Sequence, residues 1–123
     1  INFARYFSNL SFFISFSRLI SPDSLVDAKA ITNEIETEWR EVGGRKINLD
    51  PGTLSEANIV LATTKNRDHR IAIGKDMYAE LTLMYQNHCY QAFPWTYADY
   101  RSQKVQDILL SFRKDYLKLR KMD

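Results

Sequence analysis

Cysteine, histidine, glycine and proline are all scarce in this chain of 123 residues, and each scarcity excludes something. One cysteine, Cys89, cannot close an internal disulfide, so a disulfide-stapled secreted scaffold is ruled out. His69 and His88, even with Cys89, do not supply the four paired N/S ligands that a structural zinc site needs. The glycines, Gly43, Gly44, Gly52 and Gly74, never fall in the Gly-x-x-x-x-Gly-Lys-Ser/Thr spacing whose backbone N–H groups wrap a phosphate. Gly74-Lys75 runs straight into Asp76 instead. A Gly-x-Ser-x-Gly nucleophile elbow is missing as well. There is also no run of about 18 apolar residues to span a membrane. The most apolar stretch near the start, residues 10–20, is broken by Ser11, Ser15, Ser17 and Arg18. It lacks the basic leader and small-residue cleavage site of a signal peptide. A reducing, cytoplasmic setting is the expectation.

What is present describes one folded domain. Hydrophobic residues make up 45% of the chain and aromatics 13%, too many for a disordered tail. The length supports one core, because two halves would each be too small to bury much apolar surface. The formal charge is only +2. The excess is local: residues 101–123 hold seven basic side chains against three acidic ones. Such a segment suits either an acidic partner such as RNA or a solvated helix whose cations sit near the negative end of its dipole.

Periodicity gives the elements. Residues 10–20 read as a strand, with Phe12, Ile14 and Phe16 alternating against serines. Ser21-Pro22 starts a helix whose apolar positions are Leu25, Ala28, Thr32, Ile35 and Trp39, and Gly43-Gly44 ends it. Residues 45–50 alternate as a strand, with Ile47 and Leu49 opposite Asn48 and Asp50, before the Pro51-Gly52 turn. Residues 54–62 read two ways: Thr53-Leu54-Ser55-Glu56 suits a helix start and Ile59-Val60-Leu61 a buried strand, and of the two a short helix is expected. Residues 69–73 and 77–85 form a hairpin around Gly74-Lys75-Asp76, and 90–95 add a short strand. Along the second hairpin strand, Met77, Ala79, Leu81 and Leu83 are expected on one face and Tyr78, Glu80 and Thr82 on the other. The last helix carries Val105, Ile108, Leu109, Phe112, Tyr116 and Leu119 in one stripe. The expected fold class is α+β: a largely antiparallel sheet with two main helices packed on one face.

These phases place a mixed-sign polar set on the sheet face or rims away from the helical core. Asn48, Asp50, Glu80 and Thr82 come from the strands, with Lys65, His69 and Arg70 from the adjoining loop. Such a set suits an anionic ligand, or a hard cation held by the carboxylates. It equally suits a network of ion pairs tying the hairpin to its neighbour. Asp50 before Pro51-Gly52 also explains itself as a turn former, and His69 needs an orienting carboxylate to act as a base. Thr64-Lys65-Asn66-Arg67-Asp68 has the outline of a guanine-reading motif, but its aspartate falls one residue late and no phosphate loop accompanies it. Phe93, Trp95, Tyr97 and Tyr100 are read as packing at the start of the last helix, with Thr96 or Asp99 capping it.

Six ordered segments resemble a known family. They are Thr32-Asn33-Glu34-Ile35-Glu36, Asn48-Leu49-Asp50-Pro51-Gly52, Leu61-Ala62-Thr63-Thr64-Lys65, His69-Arg70-Ile71, Ala79-Glu80-Leu81-Thr82-Leu83 and Trp95-Thr96-Tyr97-Ala98-Asp99-Tyr100-Arg101, with Arg45 between the first two. Together they resemble the bacterial domain of unknown function 4416, some of whose members are labelled GTP-binding. The resemblance spans roughly residues 10–120. It implies that Asn33, Glu36, Arg45, Asn48, Asp50, Lys65, His69, Arg70, Glu80, Thr82, Tyr97 and Asp99 hold signature positions, and it implies no reaction. Ala72 and Ala98 depart from the family pattern, and the opening residues keep little of it. The resemblance further implies an additional strand and helix at the N-terminus, so residues 1–123 are expected to be a single domain lacking that unit. An exposed sheet edge or uncovered apolar face near Phe12, Ile14 and Phe16 would be its trace.

The functional expectation is a polar pocket for a small anionic ligand or a divalent cation. Asn48, Asp50, Lys65, His69, Arg70, Glu80, Thr82 and Asp99 are its candidate residues. The alternative is a non-enzymatic module that binds protein or RNA through the basic last helix.

Overall fold

The computed structural model describes residues 2–7, 11–41, 44–45 and 47–121, with side chains over 12–40 and 47–121. Among the described residues, nine strands and two helices follow in the order β1 (Asn2–Phe7), β2 (Ser11–Ser15), α1 (Leu25–Glu38), β3 (Arg40–Glu41), β4 (Gly44–Arg45), β5 (Gly52–Leu54), β6 (Asn58–Thr63), β7 (Arg70–Gly74), β8 (Met77–Gln86), β9 (Cys89–Ala92) and α2 (Gln103–Lys121). One 3-10 turn, Pro22–Ser24, leads into α1, and another, Ala98–Arg101, leads towards α2. The main sheet runs β2-β1-β5-β6-β8-β7, with β9 also paired to β8, and every pairing is antiparallel. β3 and β4 form a separate two-stranded ribbon. This is an α+β domain.

Two tight turns build the hairpins around β8. Lys75 and Asp76 have φ of 51° and 58°, and Asn87 and His88 have 54° and 62°. Positive φ at both central residues gives the turn whose twist matches the flanking strands. Gly74, at φ 111°, ends β7 in a conformation that side-chain-bearing residues rarely adopt.

The apolar core lies on one face of the sheet. Leu54, Ile59, Leu61, Leu83 and Tyr90 pack there against Tyr100, Val105 and Leu109, with Phe13 edge-on to Tyr100 at 5.9 Å. α2 therefore buries the stripe expected of it. Its Gln106 amide also accepts from the Tyr90 N–H at 3.1 Å and donates to the Tyr90 carbonyl, pinning α2 to β9.

Several expectations are corrected. Residues 54–62 are not a helix: Ser55 bonds the backbone N–H groups of Ala57 and Asn58, making a tight turn between β5 and β6. The Thr-Leu-Ser-Glu pattern yields to Ile59 and Leu61, which the sheet buries in alternation. Of the strand expected at 45–50, Lys46 lies outside the described residues; the described part holds the end of β4 at Arg45 and a lone bridge at Leu49, which leaves Asn48 and Asp50 in a loop. The strand expected at 10–20 stops at Ser15, with Leu10 outside the described residues, and its partner is β1 (Asn2–Phe7). β2 is an edge strand on which Phe12 is 53% exposed. The strand expected at 90–95 stops at Ala92.

α1 ends at Glu38 with Trp39 exposed, and the ribbon of β3 and β4 follows at once. Gly43, the expected stop, lies outside the described residues, as does the side chain of Arg45. Leu25 is buried as expected, but beyond it the inward stripe is displaced by one position: Lys29 and Glu36 are buried, while Ala28 and Ile35 are half-buried and Trp39 is exposed.

The last correction governs the site. Ile59 pairs with Leu83 but Val60 pairs with Leu81, so Thr82 sits in a β-bulge. One extra residue reverses the side-chain phase. Glu80, opposite Leu61, therefore shares the core face with Leu83 instead of lying on the face away from the core.

Candidate functional site

A cleft of about 540 Å³ opens where the polar end of the core face meets α1 and the 98–101 turn. That volume lies within the usual range for small-molecule sites. Of the expected residues, Asn48, Asp50, Lys65, Arg70, Glu80 and Asp99 line it. His69 and Thr82 do not. Lys29 and Arg67 were missed as site residues, and with Tyr97 they extend its wall.

The bulge makes Glu80 a buried anchor. Its side chain is 4% exposed, and Oε1 lies 2.7 Å from His69 Nε2 and 3.1 Å from Arg70 Nε. Arg70 and Glu80 face each other directly across β7 and β8. These contacts close the hairpin on itself, β7 against β8, rather than tying it to the neighbouring strand as expected. A buried pair of this kind is costly to break by removing one partner, because the other charge is left without compensation. Arg70 also donates to the Lys65 carbonyl at 2.8 Å, which fixes the loop carrying Lys65 and Arg67 at the cleft mouth. The other Glu80 oxygen, Oε2, makes no hydrogen bond among the described residues.

The segment from Trp95 to Arg101 completes the local order. A bulge leaves strand carbonyls without ladder partners. The Trp95 indole donates to the Leu81 carbonyl at 2.8 Å, and the buried Thr96 hydroxyl donates to the Thr82 carbonyl at 2.6 Å. That same hydroxyl accepts from the Phe93 N–H at 2.9 Å. Arg101 donates to the Phe93 and Thr96 carbonyls. Trp95 stacks on Phe93 and on His69, with centroids 4.8 and 5.0 Å away, so the imidazole is held by a ring and a carboxylate together. The buried Thr82 hydroxyl donates to the Glu80 carbonyl at 3.1 Å and serves the bulge rather than the cleft. Thr96 is therefore a bulge clasp rather than the helix cap expected of it.

Lys29 stands apart from these satisfied groups. The residue is 8% exposed, lines the cleft, and its ammonium has no hydrogen-bond or ion-pair partner among the described residues. Elsewhere on the cleft wall, Asn48 Nδ2 approaches Asp50 Oδ2 at 3.4 Å. Three carboxylates and four cations surround the space, so it is electrostatically mixed. Among the described residues no three His, Cys, Asp or Glu side chains lie close enough together to hold a metal ion, which leaves the divalent-cation expectation without a ligand set there.

The basic segment is partly committed to the fold. Arg113 donates twice to the Glu56 carbonyl and lies 3.5 Å over the Tyr85 ring, and Arg120 pairs with the Glu56 carboxylate. The hydrogen bond from Arg120, then its charge, hold the Glu56 carboxyl below its ordinary value. Burial pushes the Tyr90 phenol well above its own, so it stays neutral in the core. No helix among the described residues is long and apolar enough to cross a membrane.

No curated protein and no solved structure matches the chain. The profile of a domain of unknown function, DUF4416, matches residues 5–116, a span that takes in the whole cleft. The chain belongs to the DUF4416 family.

Proposed function

We propose that this domain binds a small oxyanion in the cleft, with the Lys29 ammonium as its principal contact and Lys65 and Arg67 flanking it at the mouth. One observation carries the reading. A lysine residue nine-tenths buried has given up much of its contact with water, and desolvation of its charge is ordinarily repaid by a counter-charge or hydrogen bonds. Lys29 has neither among the described residues, yet it lines an open cleft of ligand size. A bound oxyanion supplies both. The reading on the basic C-terminal segment has less behind it, since Arg101, Arg113 and Arg120 are already engaged by the protein's own groups.

The test is thermal unfolding with inorganic phosphate or pyrophosphate, against sodium chloride of equal ionic strength. A ligand at about a hundredfold excess over its dissociation constant adds about 2.7 kcal/mol. For a domain of this size that is several degrees. The wild-type midpoint rises with phosphate beyond the salt control, and Lys29→Met removes the rise. Equal shifts in the two proteins would overturn the proposal.

A further inference from the structure

The cleft wall holds a second group without a hydrogen bond, of opposite character and on a largely buried residue, and the pair defines the ligand more closely than an anion alone. Resting on the oxyanion reading above, we infer that the ligand is a phosphate ester whose organic part carries a hydroxyl group: Lys29 takes the phosphate and Glu80 Oε2 accepts the hydroxyl.

Glu80 lines the cleft while only 3% exposed. Both of its hydrogen bonds, from Arg70 and with His69, fall on Oε1. That leaves Oε2 with no hydrogen bond among the described residues. A buried carboxylate oxygen can only accept, so it asks its occupant for an O–H or N–H donor. The ionised phosphate group of an ester has no donor to offer such an oxygen, so the donor has to come from the organic part. Asp50 and Asp99 line the same cleft and add negative charge to its wall. A purely anionic ligand would therefore meet an acceptor wherever it did not meet Lys29, Lys65 or Arg67. One with phosphate at one end and hydroxyl groups at the other meets both sets. A cleft of about 540 Å³ also has room for more than a phosphate ion.

Geometry supports Glu80 as a fixed acceptor rather than a mobile one. The bulge at Thr82 turns the side chain onto the core face, and its Oε1 is held from two directions. Preorganised in this way, it loses little freedom when a donor arrives. A site built to receive a hydroxyl rejects the analogue lacking it, because its own buried group is then left unpaired.

The experiment compares glycerol 3-phosphate with n-propyl phosphate by calorimetric titration of the whole chain. The two share a three-carbon phosphate monoester and differ in the hydroxyl groups. Glycerol 3-phosphate should bind about tenfold or more tighter, the discrimination expected when one buried acceptor goes unpaired. Lys29→Met should lose both ligands, while Glu80→Gln should retain phosphate-ester binding and lose the preference. Because Glu80→Gln also weakens the pairing with Arg70, the wild-type comparison alone decides the matter if that variant does not fold. Equal affinity for the two esters would overturn this inference and leave the oxyanion site standing. No binding of either ester, together with no effect of inorganic phosphate, would overturn both.

Discussion

The two helices of this domain meet the same body in opposite ways. α2 turns Val105 and Leu109 into an apolar core, with Phe112, Tyr116 and Leu119 packed beside them. α1 turns inward Leu25, Lys29 and Glu36, so two of its three buried residues are ionisable. Apolar burial explains itself, because it removes hydrocarbon from water. A buried lysine does the reverse, and under the proposed reading it serves a ligand rather than the fold. Apolar burial is therefore concentrated under α2, and buried charge on the inward face of α1.

Substitutions can break that contrast or sharpen it. The largest effect belongs to the core: Leu109→Ala, at a fully buried position, should cost about 3–5 kcal/mol in denaturant unfolding. A much smaller cost would mean that α2 is not the stabilising helix. Thr96→Val should come next, at about 1–3 kcal/mol, because it strips the Thr82 carbonyl and the Phe93 N–H of their shared partner. Near-wild-type stability there would show that the bulge needs no clasp. Lys29→Met should act with the opposite sign, stabilising the ligand-free domain by about 1 kcal/mol by replacing an uncompensated charge with an apolar chain of similar length.

The smallest effect is the exposed pair of Glu56 and Arg120. The folded-state carboxyl of Glu56 is held below the unfolded value of 4.5, so its contribution is present above that pH and fades as acid titrates the folded group. Glu56→Gln should accordingly lower the unfolding midpoint slightly at pH 7, and the gap should narrow as the pH falls below 4.5. An unchanged gap across that range would remove the pair from the account.

The same contrast separates what the sequence made legible from what it did not. The α2 stripe could be read because its intervals of three and four carry aliphatic and aromatic residues throughout. The hairpin at Gly74-Lys75-Asp76 could be read because few residue types tolerate positive φ. Lys65, Arg70 and Glu80 were legible as a mixed-sign set, and the structure brings them to one cleft. Lys29 was not, since a lysine beside an apolar stripe is normally solvated and only packing moved the buried face one position round α1. Nor was the bulge, because Leu81, Thr82 and Leu83 continue the alternation that a regular strand would have. Its detection needed the register against β6. Residues 54–62 misled for a related reason: local capping chemistry and long-range burial pointed to different structures, and burial won.

The central claim is that the Lys29 charge is retained for a ligand and not for the fold. It is tested most directly by ranking wild type and Lys29→Met in denaturant unfolding, with and without inorganic phosphate. General salt effects act on both proteins alike, so the order of the two is what is read. The account predicts a reversal: Lys29→Met is the more stable protein without phosphate, and the wild type is the more stable with it. An order that stays the same in both conditions would contradict it.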